Sequence, residues 1–172
     1  MLHTKREVCL MFRSAFAPEP VKLVIVVESP PNSELYFYNP DGKVTEWLFA
    51  AMMRQLGCEP KTKEEGLCEF QRRGWVLVDA TYHPVNKLGK KEKKRNAVIL
   101  RYYPLLRDDL AAMLPDKSVP IILVKANVHR LLYRKLTDDG FNVINDRVVY
   151  FPSHGRQPEF HQQFGAILKS LG

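Results

Sequence analysis

Three short, nearly unbroken apolar runs constrain this chain more than any other feature: Val21–Val27, Trp75–Val78 and Pro120–Val124. A strand with one face in water alternates apolar and polar residues. A run without alternation belongs to a strand covered on both faces, as in a parallel sheet. The runs are rich in β-branched residues and sit behind chain breakers, at Pro18 and Pro20, Gly74 and Pro115. Val148–Phe151 is a fourth, shorter candidate strand.

Helical patterns fill the gaps between them. Leu10, Phe12 and Phe16 mark a helix before the first strand. Val44–Leu56 ends at Gly57, a suitable residue just past a helix C-terminus. Glu64–Arg73 is broken by Gly66, and Glu92–Leu114 is interrupted at Pro104. Asn127–Leu136 opens on an Asn that suits an N-cap, and Arg156–Leu171 closes the chain. Strands alternating with helices predict an α/β fold. The expected form is a three-layer sandwich with a central, mostly parallel four-stranded sheet flanked by helices. With 172 residues and no linker or repeat, one domain over 1–172 is expected.

Open sheets of this kind bind ligands beyond the carboxyl ends of their strands. The first run leads into Glu28-Ser29-Pro30-Pro31, the second into Asp79-Ala80-Thr81-Tyr82-His83, and the last into Pro152-Ser153-His154-Gly155-Arg156-Gln157. Two carboxylates and a Ser-His-Gly loop should therefore meet at one sheet edge. None of these loops has the glycine spacing of a P-loop or a dinucleotide fingerprint.

Formal net charge is +7, and six cations against one anion are concentrated in Lys87–Arg95. A clustered basic run favours a polyanionic partner, because each neutralised phosphate releases counterions; a solvated helix start is the alternative. The cysteines Cys9, Cys58 and Cys68 form no CxxC pair, so reduced thiols are expected and neither a metal nor another cofactor. The N-terminus lacks the apolar core of a leader, and no run approaches the roughly 20 residues of a membrane helix. A cytoplasmic, monomeric protein with no membrane partner is the expectation.

The loop after the first strand, Glu28-Ser29-Pro30-Pro31, followed by the aromatic cluster Tyr36-Phe37-Tyr38 and a helix, resembles the first motif of the uracil-DNA glycosylase superfamily. Several branches read Gly-Glu-Ala-Pro-Gly there. Pro152-Ser153-His154-Gly155-Arg156 is similar to the second motif, a Pro-Ser loop that wedges into the duplex. The order of elements agrees from about Val21 to Leu171. The resemblance implies a monofunctional hydrolase of base excision repair. Such an enzyme flips a deaminated base, most often uracil, out of DNA and cleaves its N-glycosidic bond, leaving an abasic site.

By motif position the resemblance implies that Glu28 orients or deprotonates the attacking water, or opposes the charge of a cationic sugar. A Glu that merely caps backbone donors is the bland alternative. Phe37 is the first choice for the ring stacked on the base and Tyr38 the second, with Ser29 beside them; some of these rings must simply pack the core. Asp79 stands where many relatives have an Asn that reads the base edge. An ionised carboxylate only accepts hydrogen bonds, which suits uracil poorly and leaves hypoxanthine, or an ordinary turn-capping Asp, open. Phe151 stands where well-studied branches carry a catalytic His, so His154 is the available imidazole, for the leaving base or for a phosphate. Ser153 and Gly155 would grip a flanking phosphate, and Arg156 and Gln157 would fill the gap left by the flipped nucleotide. Asn86, Lys87, Lys90, Lys91, Lys93, Lys94 and Arg95 are the expected DNA-backbone contacts. A non-catalytic module binding DNA or abasic sites is the main alternative to an enzyme.

Overall fold

A computed structural model describes residues 3–31, 33–83, 85–88 and 91–172, and only the backbone of Ser33, Asn86 and Lys87. Lys90 and the side chains of Asn86 and Lys87 therefore lie outside the described residues. The apolar runs form β1 (Leu23–Val27), β2 (Trp75–Asp79) and β3 (Pro120–Leu123). With β4 (Asn142–Val143) they make an all-parallel sheet in the order β2-β1-β3-β4. Among the described residues, seven α-helices flank it: α1 (Lys5–Ser14), α2 (Trp47–Leu56), α3 (Lys63–Arg72), α4 (Glu92–Arg101), α5 (Tyr103–Met113), α6 (Ala126–Asp138) and α7 (Gln157–Ser170). The expected three-layer α/β sandwich is the observed fold.

The period-2 alternation of side chains splits β1 between two cores. Leu23, Ile25 and Val27 pack with α1, α2, α3 and α7; Val24 and Val26 pack with α4, α5 and α6. Every residue of β1 is buried, which is why its sequence shows no alternation. The register pairs Val27 with Asp79, so the first two strands end level.

The last strand differs from expectation. Val148–Phe151 contributes one parallel bridge, Val149 to Val124, and the fourth strand is Asn142–Val143 instead. The reason is Asn145, which is 3% exposed. Its side-chain amide accepts from Leu123 N–H and donates to Leu123 C=O, both at 2.9 Å. That amide replaces the next strand residue and interrupts the ladder.

Three helix boundaries also shift. Asn127 is not the N-cap of α6; that position falls to Lys125. The break in the long helical segment falls at Tyr102, and Pro104 sits in the first turn of α5, where no backbone donor is missed. Gly66 does not break α3; a Cβ there would run into Phe49 and Met53 of α2. Among the described residues no helix is long and apolar enough to cross a membrane.

Candidate functional site at the carboxyl edge of the sheet

A cavity of about 520 Å³ opens at the carboxyl ends of the strands. That volume lies within the usual range for a small-molecule pocket. Glu28, Ser29 and Asp79 line it, together with Phe37, Phe49 and Phe151. Trp47, 54% exposed, stands at its rim, and the ring of His154 lies 6.3 Å from the indole centroid. The structure thus brings together the residues after β1 and β2 and the final loop.

Glu28 is 5% exposed and follows Val27, so its side chain leaves the strand on the side of α4 and α6. There its Oε1 accepts from Lys125 Nζ at 2.7 Å and from Arg95 Nη2. Its Oε2 accepts from Asn127 Nδ2 at 2.5 Å. Burial pushes the carboxyl up, but the bonds from Lys125, Arg95 and Asn127 outweigh it and hold the group below the ordinary carboxylate range. A carboxylate has about four acceptor sites. Three are used, which leaves one on Oε2 for a water or ligand.

This network corrects the assignment of Arg95. The basic run suggested a phosphate contact, yet its guanidinium turns inward to Glu28. Among the described residues of the run, the outward cations are Lys91, Lys93 and Lys94, all exposed around the first turn of α4. Lys125 is the one described non-glycine residue with positive φ, at φ 93° and ψ 138°. Such a conformation costs on the order of 1–3 kcal/mol and persists only where surrounding contacts fix it. The backbone N–H of Lys125 donates to Val149 C=O at 2.8 Å and its ammonium is held by Glu28, so both ends of the residue are tied.

Asp79 is 2% exposed, and its carboxyl has no hydrogen-bond partner among the described residues; Oδ2 is enclosed. Burial pushes this group up to about 8 against the pull of Arg13 and Lys5. Ser29 Oγ and Tyr36 Oη are likewise enclosed and unpartnered among the described residues, and both residues line the same cavity. Asp79 also forms part of the wall of a second cavity, of about 400 Å³, bounded by Lys5, Tyr82 and Tyr102.

The aromatic cluster divides. Phe37 lines the cavity while packing edge-on against Tyr38 and Phe70, at centroid distances of 5.0 and 5.1 Å. Tyr38, the second choice for a stacking ring, is fully buried away from the cavity. Its hydroxyl accepts from Leu77 N–H at 2.8 Å and so covers a donor on edge strand β2. Lys63, buried at 1% exposure, donates to Tyr36 C=O at 2.7 Å and pairs with Glu46 at 3.0 Å, fixing the cavity wall from beneath.

In the final loop His154 and Gly155 are exposed and Ser153 is half-buried, its N–H bonded to Phe151 C=O. Two of its residues also make contacts within the loop and with α7. Arg156 is held by Glu159 at 2.8 Å and lies 4.1 Å from the Tyr150 ring centroid, and the Gln157 amide donates to Pro152 C=O. These contacts brace the loop against α7.

Lys125, Asn127, Trp47 and Lys63 were not singled out from the sequence. The signal for the first two was present, because Lys125-Ala126-Asn127 directly follows the apolar run Pro120–Val124, just as Glu28 follows the run Val21–Val27. Among the described residues no group of three or more His, Cys, Asp or Glu side chains is placed to hold a metal ion. No family model matches the chain, and neither a curated protein nor a solved structure matches it.

Proposed function

We propose that the protein binds DNA and removes a deaminated base, uracil or hypoxanthine, by hydrolysing its N-glycosidic bond. The observation that carries this reading is the pairing of an aromatic-walled cavity with a buried, ionised carboxylate at its edge. A planar base enters between Phe37, Phe151 and Trp47, and Glu28 keeps one acceptor site for a water. That water attacks the sugar C1′. The glycosidic bond breaks with its electron pair going to the base nitrogen, and the proton lost by the water leaves through Glu28 or solvent. Because Lys125 and Arg95 lower its basicity, Glu28 acts mainly by orienting the water and opposing the sugar's positive charge. Lys91, Lys93 and Lys94 supply the backbone contacts.

A second reading, a non-catalytic module that binds a flipped or abasic nucleotide, is favoured by the engagement of Glu28 with two cations and an amide. Oligonucleotides with a single uracil or hypoxanthine, single- and double-stranded, separate the two. Strand breakage only after alkali supports hydrolysis, and tight binding without base release from either lesion supports the module.

A further inference from the structure

The final loop is held from behind by side chains of α7 that do not line the cavity. Tyr150 N–H donates to Gln163 Oε1 at 2.9 Å, and the Gln157 amide donates to Pro152 C=O. From Gln157 the bonding continues away from the loop. Its Oε1 lies 3.2 Å from Nε2 of His161, one turn further along α7, and His161 Nδ1 lies 2.8 Å from Gln55 Nε2 of α2. The direction of this path is fixed from its loop end. A carbonyl only accepts, so Gln157 turns its Nε2 to Pro152 and its Oε1 to His161. His161 Nε2 therefore carries the ring proton, and the bare Nδ1 accepts from the Gln55 amide. Burial, aided by Arg54 of α2, holds the imidazole below its ordinary titration range and keeps it neutral at neutral pH.

We infer that Gln55, His161 and Gln157 are positioning residues, which set the mouth of the cavity by tying the final loop to α2. Both sides of the mouth belong to this one path. Trp47 opens α2 about two turns before Gln55, and His154 follows Pro152 by two residues. Their rings stand at the rim with centroids 6.3 Å apart. The tip of the loop has little packing of its own. His154 and Gly155 are exposed, and a Cβ at Gly155 would meet nothing within 4 Å. The placement of His154 against Trp47 therefore falls to the bonds behind the loop. The consequence for DNA rests on the proposal that a base enters this mouth, whereas the placement of the two rings is read without DNA.

The test uses the intact protein. In wild type at neutral pH, nitrogen–proton correlation of the His161 imidazole should place the proton on Nε2, and a nuclear Overhauser contact should join the Trp47 and His154 rings. His161→Phe removes the middle of the path. Gln157→Glu keeps the shape and the acceptor for His161 but loses the donor to Pro152 C=O. Each variant, folded by circular dichroism, should lose the contact between the two rings. Each should also bind oligonucleotides carrying one uracil or hypoxanthine about three- to tenfold more weakly, the scale of one hydrogen bond. Combined, the two should be no worse than either alone, because they break the same path. A neutral His161 with its proton on Nδ1, an unchanged ring contact in either variant, unchanged affinity, or losses that add would each overturn the assignment. The wild-type resonances need no variant, and Gln157→Glu carries the comparison where His161→Phe fails to fold. Loss of the ring contact in both variants, in a protein that releases no base, would leave the positioning role standing and remove hydrolysis. Base release by wild type with the ring contact unchanged in both variants would do the reverse.

Discussion

Lys125 meets Glu28 Oε1 at 2.7 Å from a backbone held at φ 93°, a conformation that side-chain-bearing residues rarely adopt. A glycine would fit that backbone better, yet only a long cationic side chain reaches the carboxylate. The strain therefore sits where β3 delivers an ammonium to the residue that follows β1.

Replacing Lys125 tests whether the strain and the charge are separable. Lys125→Gly and Lys125→Ala both lose the contact with Glu28, but only glycine relieves the backbone. Glycine should be the more stable of the two by about 1 kcal/mol, measured by denaturant unfolding. Both should weaken base release or lesion binding. Alanine equal to glycine in stability would argue against strain at this position.

Removal of Glu28 should be severe and should depend on what replaces it. Glu28→Ala leaves Arg95 and Lys125 without their anion in a largely buried site, a change of about 3–5 kcal/mol. Glu28→Gln keeps the shape and should cost less. Because the folded-state pKa of Glu28 is depressed, its stabilisation is present above the ordinary carboxylate range and is lost as pH falls through the lower folded value. Unfolding of wild type and Glu28→Gln from about pH 2 to about pH 7 checks the sign. The two should converge in acid.

Asp79 should act on stability in the opposite sense. Its folded-state pKa is raised from 3.8 to about 8, so its contribution is fully present below the unfolded value and declines as pH rises toward the folded one. Asp79→Asn removes the titration while keeping the shape. The variant should match wild type near pH 4 and gain on it by at most about 1.4 kcal/mol per pH unit up to about pH 8. A constant difference across that interval would contradict burial of an ionisable group.

Much of this arrangement was legible before the structure, because fully buried parallel strands write themselves as unbroken apolar runs. The strand-end rule likewise located Glu28 and Asp79, which do share a cavity. What was illegible depends on tertiary partners. Asn145 ends a ladder with a side-chain amide, and no local pattern announces that. Arg95 looks like its neighbours Lys93 and Lys94 in sequence; only the packing of α4 beside α6 turns it toward Glu28. Tyr38 looks like a binding-site ring until an edge-strand N–H claims its hydroxyl. Lys125 was within reach of the same strand-end rule, applied to β3.

The basic run gives a prediction that separates these neighbours. Changing Lys91, Lys93 and Lys94 to Ala should weaken DNA binding and reduce its salt slope by about 0.9 for each phosphate contact removed. Arg95→Ala should instead lower stability, by removing one of the two cations bonded to Glu28, and disturb lesion recognition. Equal salt-slope losses from Arg95→Ala and from the exposed lysines would contradict the inward placement of Arg95.

Chemistry at Glu28 is measured most directly by base release from duplex DNA carrying one uracil or hypoxanthine. Wild type and Glu28→Gln are compared at equal DNA occupancy, with alkali revealing abasic sites. Wild type should give alkali-dependent cleavage, and Glu28→Gln a loss on the order of 10²–10⁴-fold with DNA binding retained. Wild type that binds the lesion and releases neither base, or Glu28→Gln that releases base as fast as wild type, would contradict it.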